Sequence, residues 1–367
     1  MYIAGHKINV AVANTDDATT IAGAIVAAVN ADTQLPVTAV NALGVVTLTC
    51  RWKGETGNDI DVRINYYGEQ LPSGVGAAIV DMAGGTSNAD ISAAITAMGD
   101  EWFNWIVMPY TDTANLTLLE TELDDRWGPM RQIGCRAFCA YRGSLAGTGT
   151  FGNGRNNPHV SCMATSVAPQ PPYIWAAVNA VVAAAALSID PARPLQTLSL
   201  PGIMAADIQS RFIDSERNTL LFDGIATHKV GSDGGVMIER QITMYQLNGA
   251  DIADDSYLDI TTPETLERIR FLQRSTFAQK YPRHKLAGNS ISVDQGQAIM
   301  QPKIAVSELL SIYKDMEELG WVQDYEGYKV SLVVEIDGSD PSRLNVQDSP
   351  QLVGQYRVHA QQTQFRR

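Results

Sequence analysis

The sequence predicts a multidomain α/β and α+β chain in which helices flank a central sheet. Residues 82–141 read as helix, strand, helix, strand, and the uncharged apolar run at 103–110 is typical of a strand covered on both faces. Residues 1–75 form a separate compositional unit, a small α+β module. A chain of 367 residues can hold two or more domains, and we place them at 1–75, 76–186 and 187–367.

The pattern of residues 1–75 contains one helix and several short strands. The helix is predicted from about Asp17, with Ile21, Ile25 and Val29 on its apolar face. A polar turn, KGETGN, separates the last two strands. The strands are predicted at 8–12, 45–51 and 60–67.

The sheet domain begins with two predicted helices, each followed by a strand. Ser87 or Asn88 would cap the first helix and Gly99 would close it, while Asp112 or Thr113 would begin the second. The two apolar stripes are Ile91, Ile95 and Met98, and Leu116, Leu119, Leu123 and Trp127.

Three further segments complete this domain. Residues 133–141 predict the next strand, and the five glycines in residues 143–158 predict a mobile surface loop. Residues 173–188 predict a buried core helix, because they are rich in alanine and fall short of the roughly 18 to 20 apolar residues that a membrane span needs.

The last third predicts a hairpin, helices and a strand-like tail. Residues 224–230 and 236–245 flank the turn GSDGG, and a helix would begin at residues 262–264, with proline at its first helical position. A further strand is predicted at 328–336, and residues 355–367 have strand character with no obvious partner in the sequence. The buried face of the hairpin would hold Val236, Ile238, Ile242 and Met244, and a second helix would carry Leu309, Tyr313 and Met316.

The composition narrows the class of partner. Hydrophobic residues make up 45% and charged residues 18%, which often accompanies surfaces that are buried against other subunits. The formal net charge of −13 argues against nucleic acid and against an anionic membrane surface. The start of the chain reads as a strand and not as a secretory signal, and the four cysteines have no disulfide-framework spacing, so we expect synthesis in the cytosol.

Few residues indicate catalysis or ligand binding. The loop at residues 84–87 could hold a phosphate at a helix N-terminus, but it lacks the P-loop lysine, and a tight turn with an N-cap explains it better. Cys135 and Cys139 would be buried free thiols, and His284 would lie on the surface. The run Asp124-Asp125-Arg126 is most simply the solvated end of a helix. We predict no catalytic, cofactor-binding or metal-ligating residue.

The C-terminal tail carries the main candidate site. An exposed terminal strand can complete the sheet edge of another molecule through main-chain hydrogen bonds. In this tail Tyr356, Val358 and Ala360 would present one apolar face, and Phe365 is a further apolar contact residue. The tail could equally fold back on its own domain or be disordered.

Several segments of the chain resemble the tail sheath proteins of Mu-like contractile phages. The resemblance runs in order from about Tyr2 to Phe365 and covers nearly the whole chain. Sheath proteins of this kind usually carry a further segment with an N-terminal arm, so the resemblance implies an N-terminally truncated form. The segments that carry it include MAGGTSNADISAAITAMGDEW, DRWGPMRQIG, FGNGRNNPHVS, DPARPLQTLSLPGI, ERNTLLFDGIATHKV, KYPRHKLA and QYRVHAQQTQF.

The resemblance implies a mechanical function and no enzyme activity. Subunits would polymerise helically around the tail tube and contract to drive the tube through the host envelope. The implied partners are other copies of the chain, the tube protein, and baseplate and tail terminator proteins, with no cofactor, nucleic acid or membrane. The implied location is the virion tail, with assembly in the host cytoplasm.

The resemblance also implies where the parts of the chain lie. The part from residue 187 onward would be a C-terminal sheath domain that faces the tube, and the module at 1–75 would protrude outward. Two alternatives remain: the sheath of a related contractile particle, such as a bacteriocin-like particle or a secretion system, and a nucleotide-binding α/β enzyme that uses loop 84–87.

Overall fold

The computed structural model describes residues 1–294 and 296–366. Packing of the backbone divides them into two compact units. The first consists of residues 1–185 and 195–260, and the second of residues 186–194 and 261–366. The predicted domain boundaries after residues 75 and 186 stay predictions.

The first unit contains ten strands and most of six helices within the described residues. Its strands are β1 (Tyr2–Ile3), β2 (His6–Lys7), β3 (Val37–Ala42), β4 (Val45–Cys50), β5 (Val62–Arg63), β6 (Trp105–Val107), β7 (Arg136–Tyr141), β8 (Val160–Ala164), β9 (Thr227–Val230) and β10 (Val236–Arg240). Its helices are α1 (Ala18–Ala31), α2 (Ser92–Met98), α3 (Thr113–Trp127), α4 (Leu145–Asn153), α5 (Pro172–Ile189, which continues into the second unit) and α6 (Asp214–Phe222).

The second unit is organised around two long helices with short strands after each. Its elements are α7 (Thr261–Lys280), β11 (Lys285–Leu286), β12 (Ile299–Met300), α8 (Pro302–Glu318), β13 (Val322–Gln323), α9 (Tyr325–Ser331), β14 (Val333–Ile336), β15 (Leu344–Gln347) and β16 (Gln351–Leu352).

A parallel sheet ordered β6-β7-β8 forms the centre of the first unit. The side chains of β7 and β8 are buried along nearly their whole length, and Leu116, Leu119 and Leu123 of α3 belong to the same apolar cluster. The predicted order helix, strand, helix, strand is therefore confirmed. The cover on β6 is less complete than predicted, because β6 is an edge strand of the described sheet and Val107 is 42% exposed.

The first helix of this domain begins later than predicted. α2 starts at Ser92, so neither Ser87 nor Asn88 is its N-cap. The Asn88 side chain is engaged elsewhere: its Oδ1 accepts from the Glu55 backbone N–H (2.8 Å), and its Nδ2 donates to Asp112 Oδ1 (2.6 Å). The side-chain oxygen of Asn88, which the local pattern predicts as the cap of this helix, is therefore occupied by a contact with a distant part of the chain.

The end of α3 differs from the predicted solvated end. The helix begins after its N-cap Asp112 as predicted, but Arg126 is fully buried. Its guanidinium pairs with Glu122 (2.7 Å) and donates to the carbonyl oxygens of Gly99 (2.7 Å) and Glu101 (2.8 Å). The buried arginine thus satisfies two carbonyl groups that follow α2.

The glycine-rich stretch predicted as a mobile loop forms α4. The Ser144 side chain caps this helix by accepting from the Gly147 N–H (3.2 Å). A Cβ on Gly152 would lie 2.7 Å from Ile225 Cγ1 and closer still to the Asp223 carbonyl oxygen. The glycines therefore allow α4 to approach the chain that follows α6, which outweighs their low helix propensity.

Residues 1–75 have an apolar core of their own. α1 follows its N-cap Asp17 as predicted, but β3 was not predicted, and residues 8–12 form no strand because β2 ends at Lys7. β1 pairs with β2 and β5, while β3 and β4 form a separate hairpin. The core cluster consists of Ile3, Ala4, Ile8, Val29, Leu35, Val37, Ala39 and Ile60.

Several predictions for the last third are confirmed and one is wrong. β9 and β10 form the predicted hairpin, and its four predicted core residues are buried. α7 and α8 are the two predicted helices. The strand predicted at 328–336 is instead α9 followed by β14, because Asp324 at φ 59° caps a helical turn by accepting from the Gly327 N–H (3.1 Å).

α5 is the helix predicted at 173–188, and it is two residues longer. By length and composition alone it could span a membrane, although a core helix of a soluble protein passes the same test. Trp175, Ala183 and Leu187 are buried along it, whereas Val181 is 68% exposed.

Candidate assembly surfaces

The C-terminal tail is anchored to its own unit only at its start. β16 pairs with β13 in antiparallel fashion, and the Val353 N–H donates to the Trp321 carbonyl oxygen (3.1 Å). The Gln355 side chain donates to Thr261 Oγ1. From residue 358 to residue 366, the described chain makes no hydrogen bond to any residue before 356.

The four predicted contact residues of the tail are exposed. Tyr356 is 72%, Val358 78% and Phe365 86% exposed, and Ala360 is also exposed. None of them lies in a strand, and they are not brought together into one site. Arg367, the last residue of the predicted segment, lies outside the described residues. The linking role of this tail stays a prediction.

A second surface, not predicted from the sequence, lies in the same unit. β14 and β15 form an antiparallel hairpin, and the described residues add no further strand to either edge. Val333 is 49% and Val346 45% exposed. The sequence contains a signal for this hairpin, the turn-rich run DGSDPS between two apolar, strand-like stretches. The hairpin was not predicted because the strand predicted at 328–336 begins too early.

The module at 1–75 is tied to the sheet domain by a charged network. Asp61 accepts from Arg63 (2.5 Å) and from Arg142 (3.0 Å). Arg63 also pairs with Asp207 (3.0 Å) and donates to the Val167 carbonyl oxygen (3.2 Å). The hydrogen bond to Asp61 outweighs burial and raises the pKa of Arg63, so its guanidinium stays charged.

Asp59 titrates unusually at this junction. Burial raises its pKa from the ordinary 3.8 to about 6, although the Arg142 guanidinium acts in the opposite direction. The folded state therefore holds a proton that the unfolded chain releases, and stability should fall as the pH rises from about 4 to about 6.

Asp59→Asn should stabilise the first unit at pH 7.5 by about 1–3 kcal/mol and have little effect near pH 4, because the amide removes the cost of a buried charge. Thermal unfolding at the two pH values measures this. The exposed Asp81→Asn is the matched control. An equal effect of Asp59→Asn at both pH values would contradict the assignment.

The loop at 84–87 does not have the geometry of a phosphate site. It ends several residues before α2 begins, so it does not lie on a helix N-terminus. A Cβ on Gly85 would lie 2.9 Å from Asn58 Oδ1, because the loop packs directly against the module. The side-chain amide of Asn58 makes two hydrogen bonds to the backbone of Gly85. It accepts from the N–H (2.8 Å) and donates to the carbonyl oxygen (2.9 Å).

The remaining candidate chemistry is structural. Cys135, Cys139 and Cys162 are buried free thiols, as predicted for the first two, and burial raises the pKa of Cys162. Burial also lowers the pKa of His228 to about 4, so this ring stays neutral. His284 is exposed, as predicted. Among residues 1–294 and 296–366 no cluster of three or more histidine, cysteine, aspartate or glutamate side chains could hold a metal ion.

Comparisons with known proteins identify the family of the chain. Residues 84–244 match the family described as the phage tail sheath protein central domain, and residues 253–366 match the phage tail sheath C-terminal domain. The chain therefore belongs to the phage tail sheath family, and it is a structural protein of contractile tails. It is 44% identical over 366 residues to the Mu-like prophage FluMu tail sheath protein of Haemophilus influenzae (strain ATCC 51907 / DSM 11121 / KW20 / Rd). The resemblance to Mu-like sheath proteins is thus confirmed.

The match spans 100% of this chain and 75% of that relative. A sheath tail protein from Listeria innocua is similar in fold, with TM-score 0.51, 12% identity, and coverage of 87% of this chain and 70% of that one. A chain from the anti-feeding prophage baseplate has TM-score 0.50, 12% identity, and coverage of 77% of this chain and 75% of that one.

Proposed function

We propose that copies of this chain polymerise into a helical sleeve around an inner tail tube. The observation that carries this proposal is the tail beyond Gln355, whose apolar residues Tyr356, Val358 and Phe365 are exposed, in the same unit as a two-stranded hairpin whose edges have no partner among the described residues. A tail that leaves one copy and pairs with the hairpin of another makes a heterologous contact. Such contacts generate open helical assemblies when they do not close.

The sleeve would act mechanically. It would be assembled in an extended state, and subunits would then rotate and move outward as nearly rigid bodies into a shorter, wider lattice. The free energy would come from the difference between the contacts of the two lattices. The paired tails would keep the copies linked while the other contacts change, and the motion would drive the tube through the host envelope.

The remaining parts of the proposal concern placement and partners. The part of the chain from residue 187 would face the tube, and the module at 1–75 would protrude outward, which its separate apolar core makes feasible. The partners would be the tube protein, the baseplate and the tail terminator, in the virion tail after assembly in the host cytoplasm. The proposed function is mechanical and not enzymatic, and the loop at 84–87, the candidate for a nucleotide site, lies several residues before α2.

Electron microscopy in negative stain of the purified chain at high concentration tests polymerisation. We expect hollow tubes of uniform width from the intact chain and also from a variant lacking residues 1–75, because the module's core clusters apart from that of the sheet domain. Particles no larger than a monomer from the intact chain would contradict polymerisation by this chain. Tubes from the intact chain only would contradict the outward placement of the module.

A further inference from the structure

We propose that Arg357 of one copy pairs with Glu335 of a neighbouring copy and so fixes the face and register of the added strand. This inference rests on the strand addition proposed above and names the side chains that would specify it. Glu335 is exposed and forms no ion pair with the described residues. It is the one ionisable residue in β14 and β15.

The hairpin has two unlike faces. Its register pairs Val334 with Val346 and Ile336 with Leu344, so one face is entirely apolar. The opposite face carries the pairs Val333 with Gln347 and Glu335 with Asn345. Because residues alternate between faces along a strand, a strand added to either edge must match this division.

The tail has the same division. Tyr356, Val358 and Ala360 share one face by alternation, and Arg357 and His359 share the other. When the apolar face of the tail extends the apolar face of the hairpin, Arg357 and His359 come to the face of Glu335. A slip by one residue would move Arg357 onto the apolar face and Tyr356 onto the polar one.

The charged side chains of the tail have one sign. No aspartate or glutamate follows Asp348, whereas arginine occupies positions 357, 366 and 367. A cation on the tail is therefore never opposed by an acid of the tail itself. The side chain of Arg357 is partly buried in its own chain and donates to Gln355, and it would exchange these contacts for Glu335 when the tail moves onto a neighbouring copy.

The test uses two single charge reversals and their mixture. Glu335→Arg and Arg357→Glu should each raise the critical concentration for assembly roughly 3- to 10-fold, since an attractive cross-strand pair becomes a repulsive one. An equimolar mixture of the two variants should recover assembly. In the mixture each tail can meet a hairpin of opposite charge on the other variant, which neither variant offers alone.

Matched controls separate this pairing from net charge. Glu318→Arg lies on the exposed end of α8, and Arg366→Glu lies in the tail on the other face, so neither should impair assembly. Glu335→Gln should give a smaller defect than Glu335→Arg. Circular dichroism checks that each variant is folded.

The outcomes distinguish the inference from the proposed function. Assembly defects that the mixture does not rescue, but that the double variant in one chain does, would place the pair within one copy and overturn the inference. Normal assembly of both single variants would also overturn it. If loss of the whole tail blocks assembly in either case, the proposed strand addition stands.

Discussion

A chain that ends at residue 354 should fold normally and form no tubes. No residue beyond 354 belongs to the apolar cores of the two units, so the deletion leaves both cores intact and removes only peripheral contacts such as the hydrogen bond from Gln355 to Thr261. The same residues would supply the main-chain ladder that links one copy to the next. We therefore expect the unfolding temperature to change by less than about 2 °C while assembly is lost.

Two point variants sharpen this expectation. Val358→Pro removes a backbone N–H and cannot take part in a full strand ladder, so it should block assembly almost as strongly as the deletion. Val358→Thr keeps a β-branched side chain and should assemble. Pelleting by ultracentrifugation followed by microscopy measures both. Tubes of normal yield from the shortened chain would show that the tail does not link the copies.

Gly152→Ala should destabilise the first unit by about 2–3 kcal/mol. The new Cβ would meet the backbone carbonyl oxygen of Asp223, which cannot move without shifting the end of α6, and would press on Ile225. The same substitution at Gly147 should stabilise the unit by about 0.5–1 kcal/mol, because alanine favours the helix and its Cβ would have only Ser144 Oγ near it, at 3.4 Å.

The contrast between these variants is the measurement. Urea unfolding followed by near-ultraviolet circular dichroism should move the midpoints of the two variants in opposite directions from the unchanged chain. Since both substitutions are glycine to alanine in one helix, propensity alone predicts the same sign for both. Midpoints that shift in the same direction would show that the close approach of α4 to Asp223 does not limit this position.

Much of the fold was predictable because local pattern and tertiary packing agree there. The apolar stripe of α3, the capping residue Asp112 and the buried strand after it all indicate the same arrangement. The hairpin of β9 and β10 was predictable for the same reason, since GSDGG is a turn by composition and its strands bury one face.

The failures occur where a distant contact decides the outcome. Gly152 belongs to a helix because it must approach Asp223, and Arg126 is buried because two carbonyl groups at another point in the chain accept its hydrogen bonds. Asn88 does not cap α2 because its side chain binds Glu55 and Asp112. None of these partners lies within a few residues, so no local pattern could reveal them.

The candidate site was predictable in part for a different reason. The tail reads as a strand because Tyr356, Val358 and Ala360 alternate with polar residues, yet it has no strand partner among the described residues of its own chain. The hairpin of β14 and β15 was missed because Asp324 starts a helix inside a stretch with strand propensity. Its edges could be recognised only once both strands were placed.

A cryo-electron microscopy map of assembled tubes tests the central claim most directly. We expect continuous density from residue 354 of one copy to a third strand alongside β14 and β15 of a neighbouring copy, with the side chain at 357 beside Glu335. A map in which residues 355–366 pair with strands of their own copy, or in which the hairpin edges stay unpaired, would contradict the account.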